Sequence, residues 1–95
     1  MRTMTLEKGL ATFLDALAGK NRSAATVRAY QTDIQQFLSY LHATNVSIHT
    51  PADVEKVDVV EYFSALAKRE LTGIARARKM SAIREYFRFL GGVPR

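Results

Sequence analysis

The chain has 95 residues, of which 47% are hydrophobic, and contains no cysteine. This length predicts one domain with room for a core but not for a deep, enclosed active site as well. The lack of cysteine excludes a disulfide framework and a thiolate metal site. No apolar run approaches the roughly 20 residues that span a bilayer, and the first residues lack the apolar middle of a signal peptide. A cytoplasmic location without a membrane partner is therefore expected.

The net charge of +5 is concentrated near the carboxyl end. Residues 1–67 carry six Lys or Arg against seven Asp or Glu, a net charge of −1, whereas residues 68–95 carry eight against two, a net charge of +6. Such asymmetry is typical of a protein that meets a polyanion. A merely solvated basic face has the same composition, so charge alone leaves both readings open.

The spacing of apolar residues predicts a first helix over residues 5–18, which Gly19 is expected to end. Ser23 is a good N-cap for a second, longer helix that runs to about Ala43, because its hydroxyl can accept a hydrogen bond from a free N–H of the first turn. One side of this helix is apolar, and the opposite side is polar with Arg28 as its one charged residue. Such a side suits a DNA groove, although an ordinary solvated face has the same pattern.

A loop is predicted over residues 44–53, because the helical period fails there and Pro51 disfavours helix at the residue before it. The loop is expected to end in a single turn around residues 52–55. A third helix is predicted over about residues 57–68. The residues expected to be buried on its apolar side are Val59 or Val60, Phe63 and Leu66.

The fourth helix joins the longest apolar stripe to the densest positive charge. Thr72 is its expected N-cap, and glycines after Leu90 are expected to end it. Its apolar stripe consists of Met80, Ile83, Phe87 and Leu90. Its arginines away from the middle of that stripe are Arg78, Arg84 and Arg88. Four helices with mostly short connections predict an all-α bundle of two helical hairpins.

Few residues of this chain are suited to chemistry. His42 has no Asp or Glu at a helical metal-binding spacing, and His49, four residues before Asp53, lies within the predicted loop, so both are expected to be surface residues. The phosphate-binding and nucleophile motifs GxGxxG, GxxxxGKS and GxSxG are absent. The four tyrosines are expected to pack in or beside the core. We therefore expect no catalytic residue, metal or cofactor within this chain.

Two segments resemble motifs of one known family, in that family's order. Residues 23–41, SAATVRAYQTDIQQFLSYL, resemble S-x-x-T-x-x-x-Y-x-x-D-[IL]-x-x-F-x-x-[YF]-L, and residues 78–90, RKMSAIREYFRFL, resemble R-[KR]-L-S-A-[LI]-R-x-[FY]-[FY]-x-[FY]-L. Both patterns are typical of the N-terminal core-binding domain of tyrosine recombinases, the phage integrase family that includes the Xer-like enzymes. The chain departs from the family at Arg76, a usually apolar place, and this arginine is expected to extend the basic surface instead of packing.

The resemblance implies a SAM-like orthogonal bundle of four or five helices that grips the recombination-site duplex. Residues 1–90 would form this core-binding domain, and residues 91–95 would begin the linker to a catalytic domain. In the family, that second domain carries the nucleophilic tyrosine and an Arg…His-x-x-Arg set, which nothing here matches. The implied role is DNA binding for DNA recombination and integration, without the chemistry. Expected partners are double-stranded DNA and, in the full-length protein, other recombinase protomers; the isolated domain is expected to be monomeric.

The family's second and fourth helices approach the major groove of DNA. Candidate DNA contacts are Arg22, Thr26, Arg28, Lys68, Arg69, Thr72, Arg76, Arg78, Lys79, Arg84 and Arg88. They are expected to form one continuous surface that neutralises phosphates. The alternative is a helical protein-interaction module with a basic face for an acidic partner. Stable self-association, or exposure of apolar residues such as Leu6 and Phe13, would favour it. An enzyme in its own right would need a pocket with perturbed titrating groups.

Overall fold

A computed structural model describes residues 4–44, 47–69 and 72–91 of the chain. This part contains four α-helices, one short 3-10 turn and no strand, so the predicted all-α class is confirmed. The helices are α1 (Leu6–Gly19), α2 (Ala24–Thr44), α3 (Lys56–Lys68) and α4 (Gly73–Phe89), with the 3-10 turn at Pro51–Asp53. None of the helices in these ranges combines the length and the apolar character needed to cross a membrane.

Hydroxyl side chains begin three of the helices. The backbone N–H of Lys8 donates to the Thr5 side chain at 3.1 Å at the start of α1. The Ser23 hydroxyl accepts in the same way from the backbone N–H of Thr26 at 3.1 Å, and the Thr72 hydroxyl accepts from that of Ala75 at 3.1 Å. Each hydroxyl satisfies one of the N–H groups that a helix leaves unpaired at its amino end. The N-caps predicted at Ser23 and Thr72 are confirmed.

The turns differ in detail from the sequence expectation. Gly19 is still helical, and the left-handed conformation that follows α1 falls to Asn21, with a φ of 61°. Asparagine tolerates that conformation because its short polar side chain can bond locally. The single turn after the loop lies at Pro51–Asp53, before the predicted residues 52–55, because proline suits the first position of a helical turn.

The core lies between α2 and the other three helices, all of which contact it. Its fully or nearly fully buried members include Leu6, Phe13, Ile34, Phe37, Leu41, Leu66, Ile83, Tyr86 and Phe87. Of the residues predicted to be buried on α3, Leu66 is buried, and Val59 and Phe63 are partly buried against the core, whereas the alternative Val60 is 51% exposed. Tyr62, expected in or beside the core, is buried as deeply as Leu66. Tyr62 takes the inner position because its ring packs edge-on against that of Phe37, with ring centres 5.0 Å apart.

Tyr86 connects the end of α4 to the beginning of α1. Its buried hydroxyl donates to the backbone carbonyl of Leu6 at 2.7 Å. The backbone N–H of Leu6 in turn donates to the carbonyl of His49 in the loop after α2, at 3.0 Å. Burial raises the pKa of Tyr86, since ionisation would put a charge in the core. These bonds fix the amino end of α1 against both halves of the bundle.

The connections predicted before and after α4 fall mainly outside the described residues. Residues 70–71, expected to lead into α4, lie outside, as do residues 92–95 of the expected linker. Gly91, the last described residue, has a φ of 114°, in the region that favours glycine. The domain boundary near residue 90 therefore stays a prediction.

Candidate nucleic-acid interface

The seam between α2 and α4 contains a buried carboxylate shared by two cations. Asp33 of α2 is fully buried. Its Oδ2 accepts from Nε of Arg78 at 2.9 Å, and its Oδ1 accepts from Nη2 of the same guanidinium at 3.0 Å. The same Oδ1 also accepts from Nζ of Lys79 at 2.9 Å, and that ammonium donates to the side-chain oxygen of Gln36. Asp33 thus joins α2 to two consecutive residues of α4.

The two cations of this cluster differ in their access to solvent. The side chain of Arg78 is 50% exposed, whereas that of Lys79 is 8% exposed. The structure therefore corrects the expectation that Lys79 is a direct DNA contact, because its ammonium is buried and already bonded to two partners. Hydrogen bonds from Arg78 to Asp33 raise the pKa of that guanidinium, so it stays charged. Two cations and one carboxylate leave a net positive charge that only Arg78 presents to solvent.

A second polar cluster crosses the same seam nearer the start of α2. The Tyr30 hydroxyl donates to Oε2 of Glu85 at 2.6 Å, and Nη2 of Arg22 lies 3.3 Å from the other oxygen of that carboxylate. The Arg22 guanidinium also lies 5.9 Å from the centre of the Tyr30 ring, within the range of a cation–π interaction. The Tyr30–Glu85 and Asp33–Arg78 pairs thus hold α2 against α4 at two points. Arg22 is 38% exposed and stands beside this seam.

The remaining predicted cations of α2 and α4 have no carboxylate partner among the described residues. Arg28, Arg84 and Arg88 are exposed and form no ion pair within the described ranges. On a helix, residues 78, 84 and 88 fall within roughly one third of the circumference. Arg84 and Arg88 are separated by about 6 Å of helix rise. The solvent side of α4 therefore presents three guanidinium groups along one arc.

Arg76 does not belong to that arc, and the expectation that it extends the basic surface instead of packing was wrong. The residue is only partly exposed, and its Nε atom is buried without a hydrogen-bond partner in the described part of the chain. It lines a groove between α3 and α4 together with Phe63, Leu66 and Met80. The long aliphatic stem of arginine allows it to occupy this apolar position.

The other predicted contacts lie at helix ends. Thr72 and Thr26 are engaged in N-capping: Thr72 accepts from the N–H of residue 75, and the Thr26 hydroxyl accepts from that of Ser23 at 2.9 Å. Lys68 and Arg69 are exposed at the end of α3. Arg69 borders a groove of about 490 Å³ between α2 and α3, where Thr32, Gln35 and Ser39 also lie. This groove contains the polar side of α2 that the sequence singled out.

No cluster suited to metal binding is found in these ranges. His42 lies 3.3 Å from Glu7 and bridges α2 to α1, and His49 is exposed. Within residues 4–44, 47–69 and 72–91, no three His, Asp or Glu side chains are grouped to hold a metal. Burial raises the pKa of Tyr30, Tyr62 and Tyr86, which makes each phenol a weaker nucleophile near neutral pH.

The sequence interpretation did not assign roles to Asp33 and Glu85. The burial of Asp33 could have been predicted from the sequence, because this residue falls three residues after Tyr30 and four before Phe37, on the apolar side of α2 that faces the core. A charged residue on an inward side needs a partner of opposite charge. Glu85 carries no such signal, since a lone acidic residue in a basic helix is equally suited to solvent.

Comparisons with known proteins agree with the resemblance carried by the two motifs. The sequence model of the phage integrase N-terminal SAM-like domain matches residues 10–91, which is most of the chain. The chain belongs to that family. The Asp33 cluster, the Arg22 cluster and the exposed arginines of α4 all lie within or beside the helices that this SAM-like domain comprises.

Similar curated proteins are named as tyrosine recombinases. The SAM-like domain is 36% identical over 81 residues to the tyrosine recombinase XerC of Roseiflexus castenholzii, covering 84% of this chain and 25% of that protein. It is 33% identical over 87 residues to XerD of Bifidobacterium longum, covering 92% and 24%, and 34% identical over 88 residues to a tyrosine recombinase of Pseudothermotoga lettingae, covering 90% and 30%. The chain thus spans about a quarter of the length of such relatives. No solved structure matches it significantly.

Proposed function

We propose that this chain is the core-binding domain of a site-specific tyrosine recombinase and that it grips duplex DNA with the outer surface of α2 and α4. The observation that carries the proposal is the set of exposed arginines on these two helices. Arg28, Arg84 and Arg88 have no carboxylate partner in the described ranges, and Arg78 is half exposed although paired. Membership of the SAM-like family and the names of the relatives support the same role.

Affinity in this proposal comes mainly from phosphate contacts. Each neutralised phosphate releases condensed counterions, which lowers the slope of log K against log[salt] by about 0.9. Arg84 and Arg88 lie one helical turn apart, close enough to contact phosphates of the same strand. The side-chain hydroxyls and amides of the polar side of α2 would add hydrogen bonds that fix orientation. Such contacts hold the duplex in place and contain no group for strand cleavage.

The proposal assigns the chemistry to another part of a longer recombinase. Residues 1–90 would be the DNA-binding module, and residues from 91 onward would lead to a catalytic domain that cleaves and rejoins the strands. Other protomers bound to paired sites would be the protein partners of that full-length enzyme. A role as a protein-interaction module would be favoured by exposure of Leu6 and Phe13, but these residues are 0% and 3% exposed. Stable self-association would still support that role.

A salt titration tests the proposal. Fluorescence anisotropy of a labelled duplex, measured between about 50 and 200 mM salt, is expected to show binding that weakens steeply with salt. Arg84→Ala and Arg88→Ala should each lower the affinity for every duplex sequence, and each should make the slope of log K against log[salt] less steep by about 0.9. Lys8→Ala, which removes an exposed charge from α1, is the matched control and should change little. Lack of binding at the lowest salt, or an equal loss in the control, would refute the proposal.

A further inference from the structure

We propose that Asp33 is a positioning residue for DNA binding, which holds the Arg78 guanidinium at the surface with one edge facing the duplex. The inference rests on the proposed function and adds a role for a buried, negatively charged residue in binding a polyanion. Asp33 would not touch DNA, since it is fully buried. It would act only through Arg78, whose side chain is half exposed.

The geometry of the Arg78 pair leaves the guanidinium able to bind a second partner. A guanidinium has five N–H donors in a planar fork. Asp33 takes the N–H of Nε and one N–H of Nη2, at 2.9 Å and 3.0 Å. Both N–H groups of Nη1 and the second of Nη2 remain, and one N–H of each of these two nitrogens together form a free edge next to the one that bonds the carboxylate. That edge matches the paired oxygens of a phosphate or the O6 and N7 acceptors of guanine.

The carboxylate is itself held in one orientation. Lys79 donates to Oδ1 of Asp33 at 2.9 Å and to the side chain of Gln36, one turn further along α2. A carboxylate bonded by three N–H groups in the interior has little freedom to rotate. Arg78 therefore meets DNA with its rotamers already restricted, whereas a free arginine loses that freedom on binding. Arg84 and Arg88 have no such support in the described residues.

If Asp33 acts only through its charge, neutralising it should strengthen DNA binding, whereas if Asp33 positions Arg78, neutralising it should weaken DNA binding. Asp33→Asn raises the net charge by one, and simple electrostatics then predicts tighter binding to DNA. Positioning predicts weaker binding, by about 2- to 10-fold, because the side chain of Arg78 must be ordered at the moment of binding. The direction of the change in Kd therefore separates the two accounts.

The single variant leaves the buried Lys79 ammonium without its carboxylate and is a risk to folding. The variant Asp33→Asn with Lys79→Met removes that problem, because no buried ammonium remains, and it keeps the net charge of +5. Lys79→Met alone retains the pair of Asp33 with Arg78 and is the reference. Asp15→Asn, at an exposed position of α1, controls for the loss of a carboxylate. Circular dichroism verifies that each variant is folded before its Kd is measured.

We expect the double variant to bind duplex DNA about 2- to 10-fold more weakly than Lys79→Met, although its net charge is one unit more positive. With Arg78→Ala present in both, the same comparison should show no loss of affinity, because only the difference in net charge remains. Equal or tighter binding by the double variant, or an undiminished loss in the Arg78→Ala background, would overturn the inference while leaving DNA binding through Arg84 and Arg88 intact. If the wild-type chain bound no DNA, the proposed function would fail as well.

Discussion

Removing the Asp33 carboxylate should be among the most destabilising single changes at the surface between α2 and α4. In Asp33→Asn the Lys79 ammonium, with its side chain 8% exposed, would keep only neutral partners. Because the Arg78 side chain is half exposed, water can solvate its guanidinium when the carboxylate is removed, so Arg78 adds less to the loss of stability. An uncompensated buried charge costs about 3–5 kcal/mol. That is a large part of the about 5–15 kcal/mol by which a typical domain is stable.

Removing Lys79 instead of Asp33 should lower the free energy of unfolding much less. Lys79→Met leaves Asp33 bonded to Arg78 through two hydrogen bonds, and we expect a loss of about 1 kcal/mol. The double variant should lie within about 1 kcal/mol of Lys79→Met, because replacing both members of a buried pair is often neutral. Urea unfolding followed by circular dichroism, with the m-value compared across variants, gives the three free energies. A loss below about 1 kcal/mol in Asp33→Asn, or strictly additive changes, would refute this reasoning.

Three further predictions concern stability. Tyr86→Phe removes a buried hydrogen bond and should lower the free energy of unfolding by about 1–2 kcal/mol. Because the pKa of Tyr86 is raised in the folded state, its contribution to stability is kept below about pH 10 and lost above. The melting temperatures of the wild type and the variant should therefore converge as the pH is raised from neutral to alkaline. Thr72→Ala should cost about 1 kcal/mol in urea unfolding, and Thr72→Ser should restore most of it. Gly9→Ala should not give the roughly 1 kcal/mol that helix propensity promises, because the added Cβ would lie 2.8 Å from Leu90; a calorimetric gain of that size would contradict the contact.

The local features of the fold could be predicted from the sequence. Helix starts at Ser23 and Thr72 depend on side-chain hydroxyls within the same turn, and they were confirmed. The apolar stripe of α4 was also found on the inner side, with Ile83 and Phe87 buried. Such features depend on residues a few positions apart, where the period of a helix is informative. Which of several apolar residues packs deepest depends on other helices, so Tyr62 was not singled out.

The candidate site was predictable only in part, because pairing across helices is not local. Arg78 and Lys79 are neighbours of the same charge, yet one is half exposed and the other nearly buried. The difference depends on Asp33, which is 46 positions from Lys79 along the chain. Arg76 likewise looked like a surface cation, and only the packing of α3 on α4 shows that its stem lies in an apolar groove. Counting charges locates the basic end of the chain, but it does not show which of its Lys and Arg side chains remain exposed without a carboxylate partner.

The most direct test of where DNA binds is an NMR titration of the ¹⁵N-labelled chain with a short duplex at low salt. Binding by the outer surface of α2 and α4 predicts that backbone amides of residues 22–32 and 74–88 shift most, together with the side-chain Nε–H of Arg84 and Arg88. Amides on the exposed side of α1, such as that of Asp15, should shift little. The largest shifts on α1, or no shifts at a duplex concentration that saturates anisotropy, would contradict the account.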